Sequence, residues 1–178
     1  MKDKKSFKIG DKIVDFGQVC GIFKIKKAKK TKGKKEKVIF FKPYFKTKQN
    51  RTLVYSIPVN NIKKAKIRRP ISKKEVRQLL KEPPKKIDIE NPINTTRLRE
   101  ILRLNEAHKT AQVLKTLWAD REDESTSFTK SKKDVFSLAM ERLVEEIAFV
   151  NRVSLRKARK QIKEALEREA KNEEDKKT

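Results

Sequence analysis

Glycine is scarce in this 178-residue chain: Gly10, Gly17, Gly21 and Gly33 are all there is, and every one lies near the front. No Gly-rich phosphate loop and no dinucleotide fingerprint can be read anywhere. Cysteine is a single residue, Cys20, so no internal disulfide can form, which fits a reducing compartment. Histidine is also single, His108, and neither it nor Cys20 has a visible partner for nucleophilic or metal chemistry. His108 reads as a surface side chain at a helix start, and Cys20 as a small buried hydrophobe in a strand. No apolar run approaches the ~18 residues a membrane helix needs. The opening "MKDKKSFKIG" is charged with no apolar segment behind it, so it reads as free of a signal peptide and the protein is expected in the cytoplasm.

What is abundant is positive charge. The chain carries 49 Lys and Arg against 24 Asp and Glu, a net charge of +25, and this favours polyanion partners without specifying a fold. The charge is uneven. Residues 1–90 hold 29 basic and 8 acidic side chains, a net of +21, whereas residues 91–178 hold 20 and 16, a net of +4. Hydrophobic residues make up 35% of the chain, enough for a packed but small core.

The basic front reads as strands. "DKIVDFG" and "CGIFKI" are short β-branched and aromatic runs, with Gly17 and Gly21 placed around a turn. "EKVIFFKPYF" is a third run, which Pro43 ends or places at an edge. "RTLVYSIPV" is a fourth, with Leu53, Tyr55 and Ile57 alternating against Thr52, Val54 and Ser56. Closely spaced strands of this kind predict a small curved sheet or barrel, and glycine eases its turns and bulges. Residues 24–37 hold nine lysines in fourteen positions, with Gly33 at the expected hairpin tip. Lys29, Lys30, Lys32, Lys34 and Lys35 are the candidate phosphate contacts on this hairpin, the alternative being a ribbon charged for solubility.

The back reads as helices. "SKKEVRQLLK" opens on a capping box, Ser72 with Glu75, and "EPPKKIDIENPIN" follows as a proline-rich linker. "TTRLREILRL" places Leu98, Ile101 and Leu102 on one face, and "HKTAQVLKTLW" places Ala111, Leu114 and Trp118 on a stripe. The longest pattern carries Phe136, Ala139, Leu143, Ile147 and Val150 at helical spacing. Ser154 caps a last helix whose inward residues read as Leu155, Ala158, Ile162, Ala165 and Leu166, ahead of a polar tail. Two basic groups stand out: Arg97, Arg99 and Arg103 on the first of these helices, and Lys130, Lys132 and Lys133 at the start of the longest. Arg99 and Arg103, four apart, repel unless an anion lies between them. Lysines at a helix N-terminus oppose the macrodipole, and no acid relieves them locally, so both groups read as DNA contacts. The acidic run "ADREDES" reads as a solvated helix end rather than a metal site.

Taken in order, several stretches resemble a known family. "FKIGDKIV" followed by "DFGQVCGIF" resembles the start of the CarD/CdnL family of bacterial RNA polymerase-binding regulators, where the pattern is roughly F-x-x-G-D-x-V-V-Y-P-G-x-G-V-G-x-I. "YSIPVNNIKKAKIRRPIS" is similar to the following V-P-x-x-N segment, and "KTAQVLKTLW" and "DVFSLAMERLVEEIAFV" to two C-terminal helices of that family. The similarity runs from about Phe7 to Leu166 in the same order.

The resemblance implies an α+β protein: a small Tudor-like β-barrel (residues 1–69), a short helix and Pro-rich linker (70–94), an all-α DNA-contacting domain (95–170) and a polar tail (171–178). It implies a non-enzymatic transcription regulator that needs no cofactor, metal, membrane or small-molecule substrate. Its partners would be the RNA polymerase β subunit and DNA, in the nucleoid; the lysine-dominated charge of the front, with no zinc finger or basic zipper, makes the DNA binding electrostatic with little sequence selectivity. The polymerase contacts carried over are Lys29, Val54, Tyr55, Ser56 and Ile57, with Ser56 standing where the family has an arginine. The tryptophan that the family uses as a minor-groove wedge falls on Asn94 here, so the promoter-opening wedge is expected to be missing. Trp118 lies one helix later on an apolar stripe and reads as core. Two other readings of the same charge are a free-standing nucleoid-type DNA-binding protein with weakened polymerase docking, and an RNA- or ribosome-associated protein.

Overall fold

A computed structural model describes residues 6–29, 35–87, 93–123 and 125–175. The chain is α+β: a four-stranded antiparallel sheet comes first and five helices follow. It divides into two compact units between Pro70 and Ile71.

In the first unit β1 (Lys12–Asp15), β2 (Gln18–Lys29), β3 (Lys35–Pro43) and β4 (Tyr55–Pro58) lie side by side in chain order. Asp15 pairs with Gln18, so β1 and β2 are joined by two residues, Phe16 and Gly17, both at positive φ (44° and 81°). That is the twist a tight hairpin demands, and here only its second position is glycine. Gly21 does not belong to the turn, as the sequence had indicated. It sits inside β2 opposite Lys12, whose side chain passes 3.6–3.7 Å from where a Cβ would stand. The β2–β3 register shifts between Ile22 and Lys24, which leaves Phe23 as an extra residue in a bulge.

Alternation then decides the faces. Ile13, Cys20, Ile22, Ile39 and Phe41 point to one side and are buried, joined by Ile62 and Ile67 from the chain after β4. Each isoleucine and phenylalanine among them contributes about 1.5–3 kcal/mol when fully buried. The segment leaving β4 also returns to the opposite edge of the sheet. Val14 and Arg68 exchange backbone hydrogen bonds of 2.8 and 3.3 Å. The fourth run is shorter than its alternation predicts. Leu53 lies outside β4 and is exposed, because its amide closes a turn onto the Asn50 carbonyl (3.0 Å) instead of pairing in the sheet.

The second unit comprises α1 (Lys73–Lys81), α2 (Thr95–Leu102), α3 (Ala107–Glu122), α4 (Lys130–Asn151) and α5 (Leu155–Asp175). The capping box at Ser72 is formed. Ser72 Oγ accepts from the Glu75 amide, and Glu75 Oε2 accepts from the Ser72 amide. α1 packs on α4 and α5, so it belongs to the helical body rather than to a connection. The prolines after it are also attached. Pro84 is buried, the Ile87 amide donates to Thr116 Oγ1 (2.9 Å), and Gln112 Nε2 donates to the Lys85 carbonyl (3.4 Å). The unit boundary therefore precedes the proline-rich segment, whose residues 88–92 lie outside the described ones.

α3 is the central helix. Val113, Leu114, Leu117 and Trp118 are buried on more than one side of it, as α2, α4 and α5 all pack there. Trp118 is core: Phe136 lies 6.3 Å from it, ring to ring, and the Arg121 guanidinium sits 4.1 Å from its centroid. Leu98 and Leu102 anchor α2, and Ala139, Leu143 and Ile147 anchor α4. On α5, Ala158, Ile162, Ala165 and Leu166 are buried, but Leu155, the first residue of the helix, is exposed. α5 runs on to Asp175, past the point where a polar tail was expected. Helix ends are made without glycine: Asn105 after α2 and Arg152 after α4 take the left-handed conformation (φ 57° and 55°). Among the described residues no helix is long and apolar enough to cross a membrane.

Candidate nucleic-acid interface

On the sheet unit, Lys24, Lys26, Lys27, Lys37 and Lys42 are exposed along β2 and β3. Lys24 and Lys26 share one side of β2. The Lys26 ammonium pushes the Lys24 pKa below its ordinary value, the effect expected of like charges with no anion between them. Lys29 and Lys35 pair through their backbones at the far end of the hairpin. Lys30, Lys32, Lys34 and Gly33 lie outside the described residues.

The segment carried over as a polymerase contact alternates. Val54, 58% exposed, and Ser56 face solvent, whereas Tyr55 and Ile57 pack against the core, Tyr55 with its ring 5.5 Å from Phe41. Half of that set therefore supports the sheet and half is open to a partner.

On the helical unit the structure separates the basic residues. Lys130, Lys133, Arg97 and Arg103 are exposed and Arg99 is half-buried. Lys132 is not a surface charge. It is 7% exposed, and its Nζ donates to Asp120 Oδ1 (2.9 Å) and to the Ser127 carbonyl (3.0 Å). The relief from the macrodipole that α4 lacks along its own first turn comes from the end of α3. Lys132 is accordingly removed from the DNA-contacting set. The same pair explains part of the acidic run: Asp120 is buried in this contact, Glu122 is bonded to Arg121, and Asp123 accepts from Ser125, which lowers its pKa.

A contact absent from the sequence reading draws the basic groups together. Thr95 Oγ1 and Ser131 Oγ lie 2.9 Å apart, so the first turns of α2 and α4 meet. Arg97, Lys130 and Lys133 thus share one end of the bundle with two helix N-termini, each carrying partial positive charge. Hydroxyl residues at two predicted N-termini were the available signal, but nothing in the sequence pairs them. Asn94 is the N-cap of α2, its Oδ1 accepting from the amides of Thr96 (3.0 Å) and Arg97 (3.2 Å). The position that the resemblance assigns to an aromatic wedge thus holds a capping side chain.

The single histidine and the single cysteine lie in different units. His108 is exposed on the first turn of α3 and Cys20 is buried in the sheet core. Among the described residues no group of three or more His, Cys, Asp or Glu could hold a metal ion. No protein-family model matches the chain, and no curated protein matches it.

Proposed function

We propose that this chain is a CarD/CdnL-like transcription regulator that binds the RNA polymerase β subunit through its sheet unit and DNA through both units, without catalysing a reaction. The observation that carries the reading is order. The family-like stretches follow one another from Phe7 to Leu166, and they fall on an N-terminal antiparallel sheet and then on a helical unit. The sheet is a Tudor-like barrel in this reading. The return of Arg68 to β1 supports it, since that contact ties the two edges of the sheet together.

Exposed Val54 and Ser56 on and beside β4 are the side chains open to polymerase, with Lys29 as the basic contact of the hairpin. Arg97, Arg99, Arg103, Lys130 and Lys133 bind phosphate on the helical unit, where two helix N-termini add to the field. With Asn94 engaged in capping, DNA is held without an apolar wedge, so the protein stabilises a polymerase–DNA complex more than it opens the duplex.

The test is a pull-down of RNA polymerase by the full chain with and without nuclease. Retention after nuclease digestion supports direct docking. Loss of polymerase on digestion would favour the free-standing nucleoid-type reading, whose motives are Ser56 and Asn94 at the positions where the family has an arginine and a tryptophan. Recovery of ribosomal RNA in place of polymerase would favour an RNA-associated protein.

A further inference from the structure

The face of the sheet turned away from its core carries aromatic rings among lysines. Lys12 and Lys42 flank Gly21 in one row, and Lys24 stands opposite Phe40 in the next. The bulge adds Phe23, and two residues beyond Lys42 comes Tyr44. Phe23 is 38% exposed, Tyr44 is 48% exposed, and Phe40 is half-buried. Each ring is met by a lysine: Lys42 Nζ lies 5.2 Å from the Phe23 centroid, Lys12 Nζ 5.7 Å from Tyr44, and Lys24 Nζ 5.8 Å from Phe40. Tyr44 is braced edge-on by Phe45, with centroids 5.0 Å apart. In these rows every charged side chain is a lysine; the next acid on this face of β3, Glu36, stands beyond Val38.

We propose that this face is a stacking platform for single-stranded DNA. It rests on the nucleic-acid reading above and adds a site to it. Three partly open rings on one sheet face offer flat apolar surface, and lysines beside them offer phosphate contacts, which is the combination that holds unpaired bases. The lysines do not lock the rings. A cation–π contact at an exposed site is worth about 0.5–1 kcal/mol, so an ammonium leaves readily for a phosphate while a base takes its place. The mutual repulsion of Lys24 and Lys26 falls when a phosphate enters. A duplex cannot use the rings, because its base faces are already stacked; it meets only the lysines. DNA is the occupant named because the charge and family-like order above point to DNA, and the oligo(U) arm below separates a deoxyribose strand from one whose 2′-hydroxyl the lysines or the Tyr44 hydroxyl could meet.

The experiment compares the full chain with its Phe23→Ala/Tyr44→Ala variant by fluorescence anisotropy. The probes are an oligo(dT) of about 12 nucleotides, within the site sizes such sheets use, and a duplex of equal length. Losing the rings is expected to weaken oligo(dT) binding roughly tenfold or more while duplex binding changes little. Equal losses on both probes, or none on oligo(dT), would overturn the platform and leave duplex binding standing. Failure of the unaltered chain to bind either probe would overturn the nucleic-acid reading itself. Much tighter binding of oligo(U) than of oligo(dT) would overturn DNA as the occupant. A Phe23→Trp variant guards against misfolding of the double variant: oligo(dT) is expected to quench its added fluorescence, and no quenching at saturating oligo(dT) counts against the site.

Discussion

The two units spend the same residue types in opposite ways. Among the described residues the sheet unit leaves Ile9, Phe16, Phe23, Tyr44, Leu53, Val54 and Val59 exposed, whereas the larger helical unit exposes only Leu104 and Leu155 of this class. Conversely, the buried polar and charged residues, from Asn105 to Glu146, all belong to the helical unit. There Lys132 is buried against Asp120 and Lys115 against Glu169 (3.1 Å), and the Glu146 carboxylate accepts the Ile71 amide (2.9 Å). The helical unit uses charge to specify its own packing. The sheet unit keeps charge and aromatic surface outside, where a partner can reach them.

The largest expected effect breaks or sustains that contrast directly. If the exposed charge serves DNA and six to ten phosphates are contacted, affinity falls roughly 10³–10⁵-fold between 50 and 200 mM salt. Filter binding across that range is the check, run beside two charge-reduced full-length variants. Replacing Lys24, Lys26, Lys37 and Lys42 by Gln is expected to flatten the salt slope more than replacing Arg97, Arg103, Lys130 and Lys133, because the sheet half carries most of the net charge. The reverse order would assign DNA to the helical end.

The second effect concerns buried charge. Lys132→Ala strands the Asp120 carboxylate inside the α3–α4 contact and is expected to cost about 3–5 kcal/mol of helical-unit stability by urea denaturation. Lys132→Met with Asp120→Leu should recover most of that loss. Lys133→Ala, one residue along but exposed, should leave stability alone and weaken DNA binding.

These two neighbouring lysines show how far the sequence could be read. Strand and helix positions were legible from alternation and from stripes such as Ala139, Leu143 and Ile147, because burial imposes those periods locally. The Ser72–Glu75 box was legible because both partners lie within one turn. Lys132 was not, because its partner is contributed by another helix. The aromatic face left a faint mark: Phe40, Lys42 and Tyr44 repeat at every second residue of "FFKPY", but the bulge that brings Phe23 beside them breaks the period on β2. Scarce glycine misled as well, since Gly21 serves the Lys12 side chain instead of the turn, and Phe16 takes the strained position.

Smaller effects sharpen the local arguments. Asn94→Ala removes the α2 cap and should cost about 1 kcal/mol, measured by thermal melting of the full chain. Phe16→Asn, giving Asn-Gly at the β1–β2 turn, should raise sheet-unit stability by about 0.5–1 kcal/mol, because the left-handed conformation suits Asn and Phe16 is 58% exposed. The smallest effect depends on pH. The Lys8 amide, and then Arg69, hold the Asp11 carboxyl below its ordinary value of 3.8. A lowered carboxylate pKa contributes stability above the unfolded value and loses it as pH falls through the folded one. Asp11→Asn should therefore lower the melting temperature slightly at pH 7, with the difference vanishing in acid below the ordinary value of 3.8.

The β2–β3 ribbon outgrows its neighbours. Among the described residues β4 reaches only to Val38 and β1 only to Gly21, so neither strand flanks the rows from Lys27–Lys37 to Lys29–Lys35. A strand edge that runs past its neighbours is a template on which another copy's strand can build. Lysine at Lys26, Lys27 and Lys37 makes such docking between copies repulsive at neutral pH. A ribbon neutralised to map polyanion contacts would thereby lose its protection against edge-to-edge aggregation, so light scattering belongs beside every binding curve measured on such variants.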